Sequence, residues 1–170
     1  MRALVSVLSV LVAASAASVL AAPAGPPQRK AGWWEITTQM AAPMAMTQKM
    51  NFCTDAATEA RNSALAGNMQ SQGDCTQGPI ARTPGGWSFS STCKMQGMTM
   101  TTSGTATGDF QSNYRVDATT KMEPAPMPQM AQSRMTITAK WLGACPAGRK
   151  PGDMVMGNGM VMNMNSAGRR

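Results

Sequence analysis

From Trp33 onward the chain alternates apolar and polar residues with a period of two, the repeat of a strand with one buried face. In WWEITTQM, Trp34, Ile36 and Met40 share one side while Trp33, Glu35 and Gln39 share the other. After AAP the alternation resumes in MAMTQKMNFC with Met44, Met46, Met50 and Phe52 aligned, so the two runs read as strands joined by a turn. One helical pattern intervenes, over Thr54 to Ala66. Thr54 or Asp55 can cap it, Asp55 and Glu59 suit its positive end, and Gly67 can terminate it. Strands return in TQGPIART, WSFSSTCKM, MTMTTSGTAT, FQSNYRVDATTKM and RMTITAKWL, separated by the turn signals PGG, QG and GD and by the proline-rich EPAPMPQ. Trp87, Phe89, Cys93 and Met95 align in one of these runs, and Met135, Ile137, Ala139 and Trp141 in another. The pattern predicts a mainly β fold: an antiparallel curved sheet or partly closed barrel of about seven strands with one short helix.

The two ends break the alternation. Met1-Arg2 and the uncharged run ALVSVLSVLVAASAASVL precede AAPAGPP, the basic, apolar and small-residue order of a secretory signal peptide. Residues 1–22 are assigned to it, with Ala21 or Ala24 as fitting cleavage points, and 23–31 to a linker. No later segment is long and apolar enough to span a membrane. Beyond Cys145, residues 146–170 carry Gly, Asn, Pro and Met without a run that predicts a strand, and read as a flexible tail. The domain is therefore expected over 32–145.

Export changes the meaning of Cys53, Cys75, Cys93 and Cys145. An even count in a small exported chain points to disulfides, and three pairings are possible. Zinc is disfavoured by the wide spacings and by the absence of His. The net charge of +7 does not mark a nucleic-acid binder, because its basic pairs are spread along an exported chain rather than gathered on one face. They read as solubility, with a weak attraction to an anionic envelope surface as the alternative.

GWWEITTQM, PMAM, FCTDAATEA, Asp74-Cys75, STCK and WLGAC occur in this order, and together they resemble the bacterial domain-of-unknown-function 3617 family over about Gly32 to Cys145. The resemblance implies a β-rich, four-cysteine domain in the periplasm of a Gram-negative bacterium, and it brings no activity, substrate or catalytic residue. It also implies the pairing Cys53–Cys75 and Cys93–Cys145. The methionine-rich segment after Cys145 departs from the family pattern.

Catalysis finds little support. Without His there is no Ser–His–Asp or Cys–His arrangement, bridged cysteines are not nucleophiles, and the eight carboxylates are scattered. The chain is therefore read as non-enzymatic, binding a small ligand or an envelope partner on its sheet. Trp33 is the candidate ligand-binding aromatic if it lines a concave surface. The excess of methionine, 18 residues, supports an alternative. Neutral, soft thioether sulfur suits Cu(I), and Met156, Met160, Met162 and Met164 are the candidate ligands because no strand predicted there accounts for their spacing. The strand methionines are assigned to core packing.

Overall fold

The computed structural model describes residues 26–41, 45–65 and 74–166. The predicted signal peptide, Met44 and Gly67 lie outside the described residues. Among those described, the chain forms β1 (Gly32–Met40), β2 (Met46–Thr54), α1 (Ala56–Arg61), β3 (Asp74–Gln77), β4 (Ala81–Thr83), β5 (Gly86–Met95), β6 (Met98–Gly108), β7 (Asn113–Glu123), β8 (Gln132–Gly143), β9 (Asp153–Met156) and β10 (Val161–Asn163). They build one antiparallel sheet in the order β10-β9-β2-β1-β8-β7-β6-β5-β3, with β4 paired to β5. The sheet does not close. Short hairpins join β5 to β6 and β6 to β7, a longer proline-rich loop joins β7 to β8, and β8 then returns beside β1.

Ten strands stand where about seven were expected. The run TQGPIART splits at Gly78-Pro79, because proline has no N–H for the ladder, and its halves pair separately with β5. The other two strands correct the reading of 146–170 as a flexible tail. Residues 153–163 form a hairpin, and β9 lies along β2 with Met50 opposite Met156 and Phe52 opposite Met154. The overlooked signal is Asn158-Gly159 between two alternating runs, a strong hairpin dipeptide. Gly159 there has a φ of 85°, which suits glycine.

The disulfide pairing implied by the family resemblance is also corrected. The bridges are Cys53–Cys145 and Cys75–Cys93. Strand pairing brings Cys75 directly opposite Cys93 on β5, while Cys145, just past the end of β8, meets Cys53 at the end of β2. Sequence spacing contains neither fact.

The core sits at one end of the strands. Trp34 is fully buried, with Phe52, Leu65, Phe110, Tyr114 and Val116 around it. The Phe110 and Tyr114 rings stack at 4.9 Å, and Trp34 tilts against Tyr114 at 5.5 Å. The segment before β1 straps this end shut. Lys30 donates its N–H to the Phe110 carbonyl at 2.9 Å, and its own carbonyl accepts the Trp34 indole N–H at 2.8 Å. Helix α1 is only six residues long, capped by the Asp55 side chain, which accepts the Thr58 N–H at 2.7 Å.

What fastens α1 is an ion pair that a sequence reading misses. Arg29, one of the basic residues assigned to solubility, is buried with its guanidinium 2.7 Å from the Glu59 carboxylate, and Glu59 is 1% exposed. Arg29 also donates to the Asn62 carbonyl at 2.7 Å, and Glu59 accepts the Ala64 N–H at 3.2 Å. Burial disfavours the Arg29 cation, but Tyr114 and Glu59 beside it outweigh that, and its pKa stands above the ordinary value.

Three outcomes are expected. Glu59→Ala leaves the Arg29 cation buried and unpaired, and a urea titration should show a loss of about 3–5 kcal/mol, most of it recovered in the double variant Arg29→Met/Glu59→Leu. A double variant as unstable as the single one would show that charge pairing is not the fastening. Mass mapping of a non-reduced digest should join the Cys53 peptide to the Cys145 peptide. Opening that bridge should destabilise more than opening Cys75–Cys93, since it closes a separation of 92 residues rather than 18.

Candidate functional site

The register of the sheet sorts its side chains into two chemically different faces. Starting from Trp34 and Phe52 and following the paired positions outward, one face carries Ile36, Met50, Ala139, Tyr114, Val116, Ala106 and Trp87. All eleven methionines that fall in strands lie on this inner face: Met40, Met46, Met50, Met95, Met98, Met100, Met122, Met135, Met154, Met156 and Met162. None lies on the other. Across the nine strands of the main ladder the inner face carries no charged residue. Arg82 on β4 is set beside it and stacks 5.3 Å from the Trp87 ring.

The inner face changes character along its length. At the strapped end it is aromatic and buried. At the opposite end, where the β1–β2, β5–β6 and β7–β8 connections gather, it is methionine and hydroxyl. Met95, Met98, Met100, Met122 and Met135 are half-buried there, and Met40 and Met46 are 37% and 49% exposed. Met127, in the β7–β8 connection, is exposed as well. The polar groups of this region turn inward on one another: the Thr102 and Thr120 hydroxyls, opposite in register, bond at 2.8 Å. Gly104 lets the Phe89 ring lie across the sheet between the two ends, since a Cβ at Gly104 would come within 2.6 Å of that ring. The result is a half-open apolar floor.

The outer face is Ser, Thr and charge. A hollow of about 450 Å³ lies over β5 to β8, walled by Ser88, Ser103, Thr105, Asp117, Thr119, Arg134 and Thr136. Phe89, Gly104, Ala118 and Met135, which alternate with them, complete the lining, and the polar outer-face residues make up most of it. Its carboxylate is committed. Asp117 accepts two bonds from Arg115 at 2.7 Å and one from the Thr136 hydroxyl at 2.7 Å, which hold its pKa below the ordinary value. A carboxylate so occupied is a poor base and a poor receptor for a further donor.

The candidates from sequence fall out as follows. Trp33 is half-buried on the outer face opposite Cys53 and Gly143, and does not line the outer hollow. Met156 and Met160 come together: the Met156 N–H donates to the Met160 carbonyl at 2.8 Å. Met162 lies one row away, opposite Met154, and Met164 packs onto the core. Met50, assigned to core packing alone, sits directly opposite Met156. All four cysteines are in disulfides, and the described residues hold no group of three or more His, Cys, Asp or Glu placed for a metal.

A sequence comparison matches the family described as "Protein of unknown function (DUF3617)" over residues 29–145, more than half of the chain. The chain belongs to this family. The matched span runs from Arg29 of the buried ion pair to Cys145 of the long disulfide, and leaves β9 and β10 outside it. Comparisons with curated proteins and with solved structures found no match. Two disulfides fit an oxidising compartment, and no helix among the described residues is long and apolar enough to cross a membrane.

The electrostatics of this DUF3617 domain yield an acid-stability prediction. Asp109, in the β6–β7 turn, accepts the N–H groups of Ser112, Gln111 and Asn113 and the Ser112 hydroxyl, and its pKa falls well below the ordinary 3.8. The unfolded chain therefore takes up the proton first. The contribution is fully present above about pH 3.8 and is lost as pH falls below it toward the folded value. Melting temperatures between pH 6 and pH 2 should drop along this limb, and Asp109→Asn should flatten the drop. An unchanged slope in the variant would remove Asp109 from the account.

Proposed function

We propose that this chain is a non-enzymatic periplasmic binding domain, and that its ligand is a linear apolar group, such as an acyl chain, laid along the methionine-lined end of the inner face. The observation that carries this reading is the one-sidedness of the methionines. An arrangement needed only for a core would bury them, yet at this end they stay half-exposed. Methionine is unbranched, flexible and polarizable, so a surface made of it adapts to ligands of varied shape. The main-ladder residues of that face carry no charge, which favours an apolar ligand at its methionine-lined end.

The same chemistry supports a role without catalysis. The chain has no His, its cysteines are bridged, and the carboxylates of greatest structural interest are engaged in ion pairs or turns. The outer hollow is the weaker candidate because its carboxylate, Asp117, is already engaged by Arg115 and Thr136. Export by the amino-terminal segment would deliver the domain to an envelope where acylated molecules are abundant.

The mature oxidised protein should bind a fluorescent long-chain fatty acid saturably. Three of the four tryptophans, Trp34, Trp87 and Trp141, are on the inner face and supply an intrinsic reporter. Met100→Glu with Met122→Glu should weaken binding by at least about tenfold, or ~1.4 kcal/mol, with an unchanged circular dichroism spectrum. Absence of saturable binding by the unmodified protein would overturn the reading.

A further inference from the structure

We propose that Met50, Met156 and Met160 form a soft-cation site that takes one Cu(I) ion, or its redox-inert analogue Ag(I), through three thioether sulfurs. Register carries the inference. Met50 is paired with Met156 across β2 and β9. The β9–β10 register, Met154 to Met162 and Val155 to Val161, continues one step to Met156 and Met160, where the 2.8 Å backbone bond closes it. Met50 on β2, Met156 on β9 and Met160, just before β10, thus stand in one row, with Met156 in the middle. Opposed side chains in such a row have Cβ atoms about 4.5–5.5 Å apart, within reach of a shared ion for a side chain with three rotatable bonds.

The neighbouring rows explain why these three are selected. In the next row Phe52 takes the place equivalent to Met50, so Met154 and Met162 supply only two sulfurs. Met164 lies a further row away, its N–H bonded to the Gly152 carbonyl at 2.9 Å. Met50 and Met156 are half-buried and braced by the sheet, whereas Met160 is 56% exposed and free to close over an ion arriving from solvent. The Met156 sulfur already accepts a weak contact, from the Gln48 amide at 4.0 Å. Lys49 on β2 points outward to Glu35, and Arg29, which lies over the Phe52 ring at 5.1 Å in the next row, has its charge paired with Glu59. Soft neutral thioethers select Cu(I), and with no His and no free thiol in the chain, nitrogen and thiolate ligands do not compete. Thioethers also need no deprotonation, so the affinity should be nearly constant across mildly acidic and neutral pH, unlike that of a His or Cys site.

The test is an anaerobic Cu(I) competition against a chromophoric chelator, with the mature oxidised full-length protein held reduced in copper by ascorbate. Alongside it, Ag(I) is titrated while the methionine methyl signals are followed by NMR. The expected result is one ion per chain, shifts confined to the methyls of Met50, Met156 and Met160, and the same affinity at pH 5 and pH 7.5. Leucine preserves apolar volume at these positions. Met160→Leu, at an exposed position, should weaken binding at least about tenfold with an unchanged melting curve, and the triple Leu variant should abolish it. No competition by the native chain, binding retained in the Leu variants, or shifts centred on other methionines would each overturn the site. Because Met100 and Met122 take no part, these outcomes are independent of the fatty-acid titration.

Discussion

The fold rests on one constraint: the side-chain period of two must stay in register from β10 to β3. A slip of one residue at any hairpin would carry a whole strand's apolar set to the solvent side and bring Lys, Asp or Arg onto the uncharged face. The chain meets the constraint with continuous pairing, broken only where β8 shifts by one residue between its partners Trp33 and Trp34. Leu142 takes up that shift and is left 48% exposed. Everything of functional interest inherits its position from this register, including the methionine floor and the row on β2, β9 and β10.

Register alone would leave an open sheet with a wet end. The closed end is secured by groups of a different kind. The Arg29–Glu59 pair joins the strap to α1, and the Asp109 side chain holds the turn that presents Phe110, a non-glycine residue at φ 57°, to Tyr114. A buried ion pair is an expensive way to fasten a helix, since the charges must be desolvated, and an apolar pair can do as well. What it supplies here is direction: Arg29 reaches both the carboxylate and the Asn62 carbonyl, so α1 has one seat. With that end fixed by aromatic packing and polar bonds, the other end is not required for the core. It can stay half-open.

The sequence showed the local part of this and not the rest. Alternation is local, so the facing of Trp34, Ile36, Phe52, Trp87, Phe89 and Ile137 was legible, as was the Asp55 cap. The ion pair was not, because thirty residues separate Arg29 from Glu59 and no period relates them. The disulfides were not, because pairing Cys75 with Cys93 needs the knowledge that β3 lies on β5. The carboxy-terminal hairpin was legible in principle. Gly and Asn suit an unstructured tail as well as a turn, but Asn158-Gly159, flanked by matching Met-Val-Met runs, marks a turn. Of the proposed soft-cation ligands, Met156 and Met160 are visible as spacing, whereas Met50 joins them only through the pairing of β9 with β2.

That pairing depends in turn on the long disulfide. Cys53 ends β2 and Cys145 follows β8, so the bridge delivers residue 146 to the margin of the sheet beside β2. Only a short connection then separates it from β9, and the loop to be closed is small. Gly152 donates its N–H to the Cys53 carbonyl at 2.8 Å, and Asn165 bonds the Thr58 hydroxyl at 3.0 Å, tying the hairpin to α1. The added strands cover the β2 edge and leave at the margin a strand of three residues, too short to recruit another sheet efficiently. A segment outside the family match thereby becomes part of the same inner face. It extends the methionine surface past Met50 without touching the half-open end, so a soft ion and an apolar chain would occupy one face through separate residues.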